Sequence, residues 1–128
     1  MSRPSLAAAV AVGGALGALV RFTLGELFPD DGGFPWTTFA TNVSGAFALA
    51  LLPALALVRR SQGVAVALGP GVLGGFTTLS AYSEQGRALL EADRPVLAAT
   101  YLVGTLAACL AAVTLAARFT GGAEVEEP

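Results

Sequence analysis

Seven side chains that can donate a hydrogen bond stand inside long apolar runs of this 128-residue chain: Asn42, Thr77, Thr78, Ser80, Tyr82, Tyr101 and Thr105. Neutral donors suit an anion, and the partly positive edges of aromatic rings suit one as well. Asn42 is the sharpest of the set, because a primary amide offers two donors and one carbonyl acceptor. Left unpaired in hydrocarbon it would cost roughly 2–7 kcal/mol. Two readings stay open for it: glue between helices, worth about 1 kcal/mol, or a donor that faces a pore. Catalytic chemistry finds no support. The chain has no His, one Cys, no Ser/His/Asp set, and no carboxylate in the middle of an apolar run. That argues against an enzyme, a proton-coupled carboxylate and an acidic metal cage alike.

The donors cluster in Gly71-Val72-Leu73-Gly74-Gly75-Phe76-Thr77-Thr78-Leu79-Ser80-Ala81-Tyr82-Ser83, which holds three glycines and four Ser or Thr residues. Glycine is a poor helix former, and Ser and Thr compete with the helix through local hydrogen bonds. In a membrane, free backbone groups are tolerated only where protein buries them or a wet cavity receives them. The stretch therefore reads as a membrane helix broken in mid-span. Its freed carbonyls suit a cation such as sodium.

The elements that must position these residues follow from composition. Hydrophobic residues make up 55% of the chain and charged residues 12%, against about 25% charged in a soluble domain. Such a chain cannot cover a globule with polar surface, so membrane lipid is its expected surrounding. The absence of Lys argues against a nucleic-acid patch. Cys109 has no partner for an internal disulfide and reads as a small core residue.

Four apolar spans are expected, at about Leu6–Phe28, Trp36–Val58, Val64–Leu90 and Val96–Phe119. They form one transmembrane domain over residues 1–120, with an acidic, disordered tail over 121–128. Trp36 opens the second span as an interfacial aromatic. Gly13/Gly17 and Gly14/Ala18 give small-xxx-small spacing for close helix packing. Gly104, Ala108, Ala112 and Ala116 make a second small-residue face, beside Tyr101, Thr105 and Cys109 at i, i+4, i+8. Arg21 sits near the end of the first span, as a snorkelling side chain or as one facing protein or water. The physical reading is a four-helix membrane protein that handles a small ion, an anion by preference. Four helices leave little room for a pore, so the chain is expected to oligomerise.

Three segments also resemble a known family. Gly13-Gly14-Ala15-Leu16-Gly17-Ala18-Leu19-Val20-Arg21-Phe22 is similar to the GGxxGAxxR(Y/F) opening of the Fluc/CrcB fluoride channels. Thr38-Phe39-Ala40-Thr41-Asn42-Val43-Ser44-Gly45-Ala46-Phe47 resembles their T-x-x-x-N-x-x-G-S-F segment, and the Gly71–Ser83 stretch resembles G-F-x-G-G-F-T-T-F-S-T-F-S. The segments occur in order, and the four-span layout covers almost the whole chain.

The resemblance implies an all-α membrane protein whose third helix is broken, assembled as an antiparallel, dual-topology-type dimer. It implies a fluoride-selective channel that lets fluoride leave the cytoplasm down its electrochemical gradient, which lowers fluoride toxicity. A structural, untransported sodium ion would sit at the dimer centre on the backbone carbonyls of Gly74 and Thr77. Asn42, Ser80, Tyr82, Tyr101 and Thr105 would line the fluoride pore, with Cys109 where a hydroxyl is common. Arg21 would stand near an aqueous vestibule.

The chain departs from the family pattern in three places. Leu79 replaces the first phenylalanine of a ring pair, Ala81 a threonine and Ala46 a serine. The loss at Leu79 opens a second reading, a non-conducting or partly conducting subunit of a heterodimeric channel. A small multidrug-resistance-type efflux transporter is a third, but it needs a carboxylate inside the first span, where only Glu26 is offered, near the end. Arginine placement bears on the partner. Arg3, Arg59, Arg60 and Arg118 share one side, against Arg94 and Arg87 on the other. The positive-inside rule then puts the termini in the cytoplasm and favours pairing with a homologous chain of opposite orientation over pairing with itself.

Overall fold

A computed structural model describes residues 1–121, and among these every regular element is helical. Most of the expected tail, from residue 122 on, lies outside the described residues. Four helical stretches are long and apolar enough to cross a membrane: Arg3–Leu27, Trp36–Ala54, Gln62–Glu91 and Pro95–Thr120.

Helix α1 (Arg3–Leu27) starts at Ser2, whose hydroxyl accepts the Ser5 N–H, with proline in the first turn. Both are standard starting signals. The loop that follows turns at Gly32, with φ +82°, and is tied back by a hydrogen bond from Thr37 Oγ1 to the Phe28 carbonyl. Helix α2 (Trp36–Leu51) tightens into a 3-10 turn, Leu52–Ala54. The second span closes there rather than near Val58. Pro53 cannot continue an α-helical ladder, Leu55 is extended, and the arginines lie on a separate short helix, α3 (Ala56–Arg60).

The third span is assembled from pieces. Helix α4 (Gln62–Val66) runs into a π-helical segment, Ala67–Leu73, with Pro70 inside it. Pro70 lacks an N–H and its ring clashes with the carbonyl four residues back, so a wider turn relieves both problems. Helix α5 (Gly74–Phe76) is one short turn. Thr77 and Thr78 are extended, at ψ 158° and ψ 118°. Helix α6 (Leu79–Glu91) then restarts with the Thr78 side chain as its N-cap. It ends in a Schellman turn. Asp93 takes a positive φ of 59°, Arg94 N–H reaches the Leu89 carbonyl and Asp93 N–H the Leu90 carbonyl. Helix α7 (Pro95–Thr120) closes the described chain.

Helix α1 packs on the π segment and α5, while α7 packs on α2 and α6. The small residues of α1 make the first contact possible. A Cβ on Gly13 would strike the Ala67 carbonyl, and one on Gly17 the Val72 carbonyl. A smaller core of Leu89, Ala98 and Tyr101, with Phe34 and Phe39 against it, fills one end. Large apolar side chains remain exposed along α1 and α7, among them Leu16, Leu19, Phe22, Val103, Leu106 and Leu110. Helices that are apolar on their outer faces too are those immersed in hydrocarbon.

Candidate functional site

The extended pair Thr77–Thr78 is held from three directions. Asn42, on α2, grips both backbone polar groups of Thr78. Nδ2 donates to the Thr78 carbonyl at 2.9 Å, and Oδ1 accepts the Thr78 N–H at 2.7 Å. Thr78 Oγ1 accepts the Ala81 N–H at 3.1 Å and lies 3.2 Å from Ser80 Oγ. Arg21 Nε, from α1, donates to the Gly75 carbonyl at 3.1 Å, and Thr77 Oγ1 to the Leu73 carbonyl at 2.9 Å. Gly45, one turn beyond Asn42, is buried, and a Cβ there would collide with the Thr77 methyl. The absent side chain lets the break approach α2 closely enough for Asn42 to reach it.

Beside the break lies a cavity of about 320 Å³, whose lining includes Asn42, Thr77, Thr78, Leu79, Tyr82, Thr105 and Cys109. Thr105 Oγ1 is buried and has no hydrogen-bond partner among the described residues, a condition that ordinarily costs about 1–3 kcal/mol. The Tyr82 hydroxyl is already committed to the Leu102 carbonyl, so Tyr82 presents a ring to the cavity without a free donor. Leu79 is 77% exposed at the cavity rim.

Two of the expected pore residues stand apart from this cavity. Ser80 is exposed and is joined to it only through its contact with Thr78. Tyr101 is fully buried behind Tyr82, with ring centroids 5.4 Å apart, and its hydroxyl donates to Gln85 Oε1 at 2.8 Å. Arg21 lines a second cavity, about 280 Å³, together with Glu26, Asp30, Thr38, Thr41 and Gln85. Thr78 lines both cavities, so it separates the Arg21 side from the Thr105 side.

Gln85 is not among the site residues read from the sequence. It bridges the loop carboxylate of Asp30, at 2.7 Å from Nε2, to the buried Tyr101 hydroxyl. Its signal was its place one turn beyond Tyr82, where a polar residue shares a helix face with the ring. Partial burial raises the Asp30 pKa from its ordinary value, Asp31 adds to the rise, and the Gln85 hydrogen bond opposes it. An acid with a raised pKa holds its proton more tightly in the folded state. Stability therefore falls as pH climbs from the ordinary carboxylate pKa through the raised one. Asp30→Asn keeps an acceptor for Gln85 and should flatten that dependence. Melting curves of both proteins across mildly acid to neutral pH check this, and parallel curves would contradict it.

Among the described residues no three His, Cys, Asp or Glu side chains converge. The oxygens a cation could meet at the break are neutral backbone carbonyls, a set that fits a weakly held monovalent ion better than a transition metal. Gly74 is exposed, and a Cβ placed on it would find only the Gly69 carbonyl, at 3.8 Å. Its peptide thus stands at an open surface of the single chain.

Residues 8–117 match the family described as CrcB-like protein, Camphor Resistance (CrcB). Several curated proteins are similar over most of their length. The fluoride-specific ion channel FluC 2 of Nocardia farcinica is 41% identical over 132 residues, which covers 94% of this chain and 90% of the relative. The fluoride-specific ion channel FluC of Thermus thermophilus is 43% identical over 100 residues, covering 76% of this chain and 80% of the relative. That of Novosphingobium aromaticivorans is 41% identical over 104 residues, covering 77% and 82%.

Proposed function

The chain belongs to the CrcB-like family and is a multi-pass membrane protein, and from that premise we propose that it is a fluoride-selective channel. The observation that carries the reading is the cavity whose lining includes Asn42, Tyr82 and Thr105, together with a buried Thr105 hydroxyl that has no partner among the described residues. The Asn42 amide nitrogen carries two hydrogens, and only one is spoken for by Thr78. The other is available to an anion. A dehydrated fluoride needs several such donors at once, because losing its water without replacement is prohibitive. Thr105 adds a hydroxyl, and Tyr82 adds the positive edge of its ring. On this reading Arg21 concentrates anions on the other side of Thr78. Fluoride leaves the cytoplasm passively, expelled by an inside-negative potential.

The third helix is read as broken in mid-membrane at Thr77–Thr78. The carbonyls of Gly74 and Thr77 would hold a sodium ion, which would supply a fixed positive centre and tie two subunits together. The open surface at Gly74 and the exposed Leu79 support an antiparallel dimer, with the same break facing its counterpart across a two-fold axis. The partner is a second copy or a homologous chain.

The test is fluoride efflux from liposomes that contain only this chain, followed with a fluoride electrode. Efflux well above empty vesicles, with chloride retained, is the expected result. Efflux equal to that of empty vesicles would favour the partner-subunit reading, in which Leu79 leaves the pore short of a ring. Leu79→Phe restores that ring. It should raise fluoride throughput on the order of threefold to tenfold, the scale of one aromatic contact of about 0.5–1.5 kcal/mol. An unchanged rate in a conducting protein would place residue 79 against lipid or packing instead of the ion.

A further inference from the structure

We infer that Asn42 and Thr78 are positioning residues that hold the third helix open, and that they release the two carbonyls of Gly74 and Thr77. In a continuous α-helix each N–H bonds to the carbonyl four residues earlier. The N–H of Thr78 would then serve Gly74, and the N–H of Ala81 would serve Thr77. Neither does so. The Thr78 N–H goes to Asn42 Oδ1 at 2.7 Å, and the Ala81 N–H goes to Thr78 Oγ1 at 3.1 Å. One side chain from a neighbouring helix and one from the break itself have intercepted these two donors. Meanwhile Asn42 Nδ2 and Arg21 Nε occupy the carbonyls of Thr78 and Gly75, at 2.9 Å and 3.1 Å. The side chains thus divide the backbone groups of the break, satisfying two carbonyls and freeing two others.

The pairing decides which groups stay available for a cation. Were Asn42 only glue between α2 and the third span, a bond to either backbone group of Thr78 would serve. Its two-ended grip removes the donor that would close the helix onto Gly74 as well. Gly45 makes the grip possible, since a Cβ there would push the Thr77 methyl away. For its consequence, the inference rests on the proposed sodium site. The interception itself does not need the ion.

Nuclear magnetic resonance on the full chain separates the two. The sequence contains four Gly-Gly pairs: 13–14, 32–33, 74–75 and 121–122. Labelling glycine with ¹³C at the carbonyl and ¹⁵N at the amide therefore yields four correlations, one of which reports the Gly74 carbonyl. Gly14→Ala, Gly33→Ala and Gly121→Ser assign it by removing the others. In N-methylglucamine buffer, Asn42→Ala should move the Gly74 carbonyl downfield, as a carbonyl moves on gaining a hydrogen bond. Asn42→Leu, close in volume, carries the same test if the alanine variant does not fold. Asn42→Asp keeps the acceptor for Thr78 and should show no downfield move. A Gly74 resonance unmoved in both Asn42→Ala and Asn42→Leu overturns the inference. Sodium is then titrated into the native protein and Asn42→Ala. The native Gly74 resonance should respond, and the alanine variant should need on the order of tenfold more sodium, the scale of one lost hydrogen bond. A native resonance indifferent to sodium removes the sodium site and leaves the interception to be judged by the first measurement. Equal sodium requirements overturn its link to the ion.

Discussion

Asn42→Asp should abolish fluoride efflux while the protein still folds and assembles. The carboxylate keeps the oxygen that accepts the Thr78 N–H at 2.7 Å, so the break retains one of its two ties to α2. What it loses is both amide hydrogens, and it gains a charge of the same sign as the ion. Two like charges about 4 Å apart, at an effective dielectric near 20, repel by about 4 kcal/mol, roughly a thousandfold in occupancy. Losing the bond to the Thr78 carbonyl is worth about 1 kcal/mol, so repulsion decides the outcome. Liposome efflux within tenfold of the native rate would remove Asn42 from the fluoride path and leave it the structural role alone.

The variant also separates two roles that a primary amide can combine. Sequence reasoning set glue and pore donor against each other at Asn42. The geometry satisfies the first with one amide hydrogen and the carbonyl oxygen, and leaves the second hydrogen over. The alternatives are not exclusive, because the amide can make up to four hydrogen bonds and the structural role uses two.

Much of the layout was legible because hydrophobic run length dominates everything else in lipid. Trp36, read as an interfacial aromatic, is the residue at which α2 begins. A run-length argument counts Leu55, Leu57 and Val58 as continuous with the second span, whereas Pro53 ends the helix before them. The π segment was missed for a similar reason. Pro70 was visible, but whether proline ends, kinks or widens a helix depends on what its neighbours pack against. The donors gathered around the Thr105 cavity were legible by type and by helical spacing. The commitments of Tyr82 to Leu102 and of Tyr101 to Gln85 were not, since they join helices whose relative rotation no local pattern fixes. For Arg21 the sequence leaves two readings open, a snorkelling side chain or one facing protein or water. Its bond to Gly75 is a contact 54 residues apart in sequence that only the packing of α1 creates.

That packing makes Gly17→Ala the other large effect, expected on stability. In an isolated helix the change would be favourable, by about 1 kcal/mol of intrinsic propensity. Here the new methyl would strike the Val72 carbonyl oxygen and crowd the Phe76 backbone nitrogen, 2.9 Å away. Both neighbours are backbone, so no flexible side chain can swing aside. Either α1 retreats or the π segment deforms, and overpacking of this kind costs about 1–3 kcal/mol. Retreat would also draw Arg21, one turn further along α1, away from the Gly75 carbonyl. Gly25→Ala, on the same helix with nothing within 4 Å of its added Cβ, controls for propensity and should be neutral or slightly stabilising. Thermal unfolding in detergent should place Gly17→Ala below the native protein and Gly25→Ala at or above it. Efflux should fall in the first and persist in the second. Indistinguishable melting of the two variants would mean that α1 does not depend on this close approach, and that the geometry drawn from it at Arg21 and the break does not hold in the membrane.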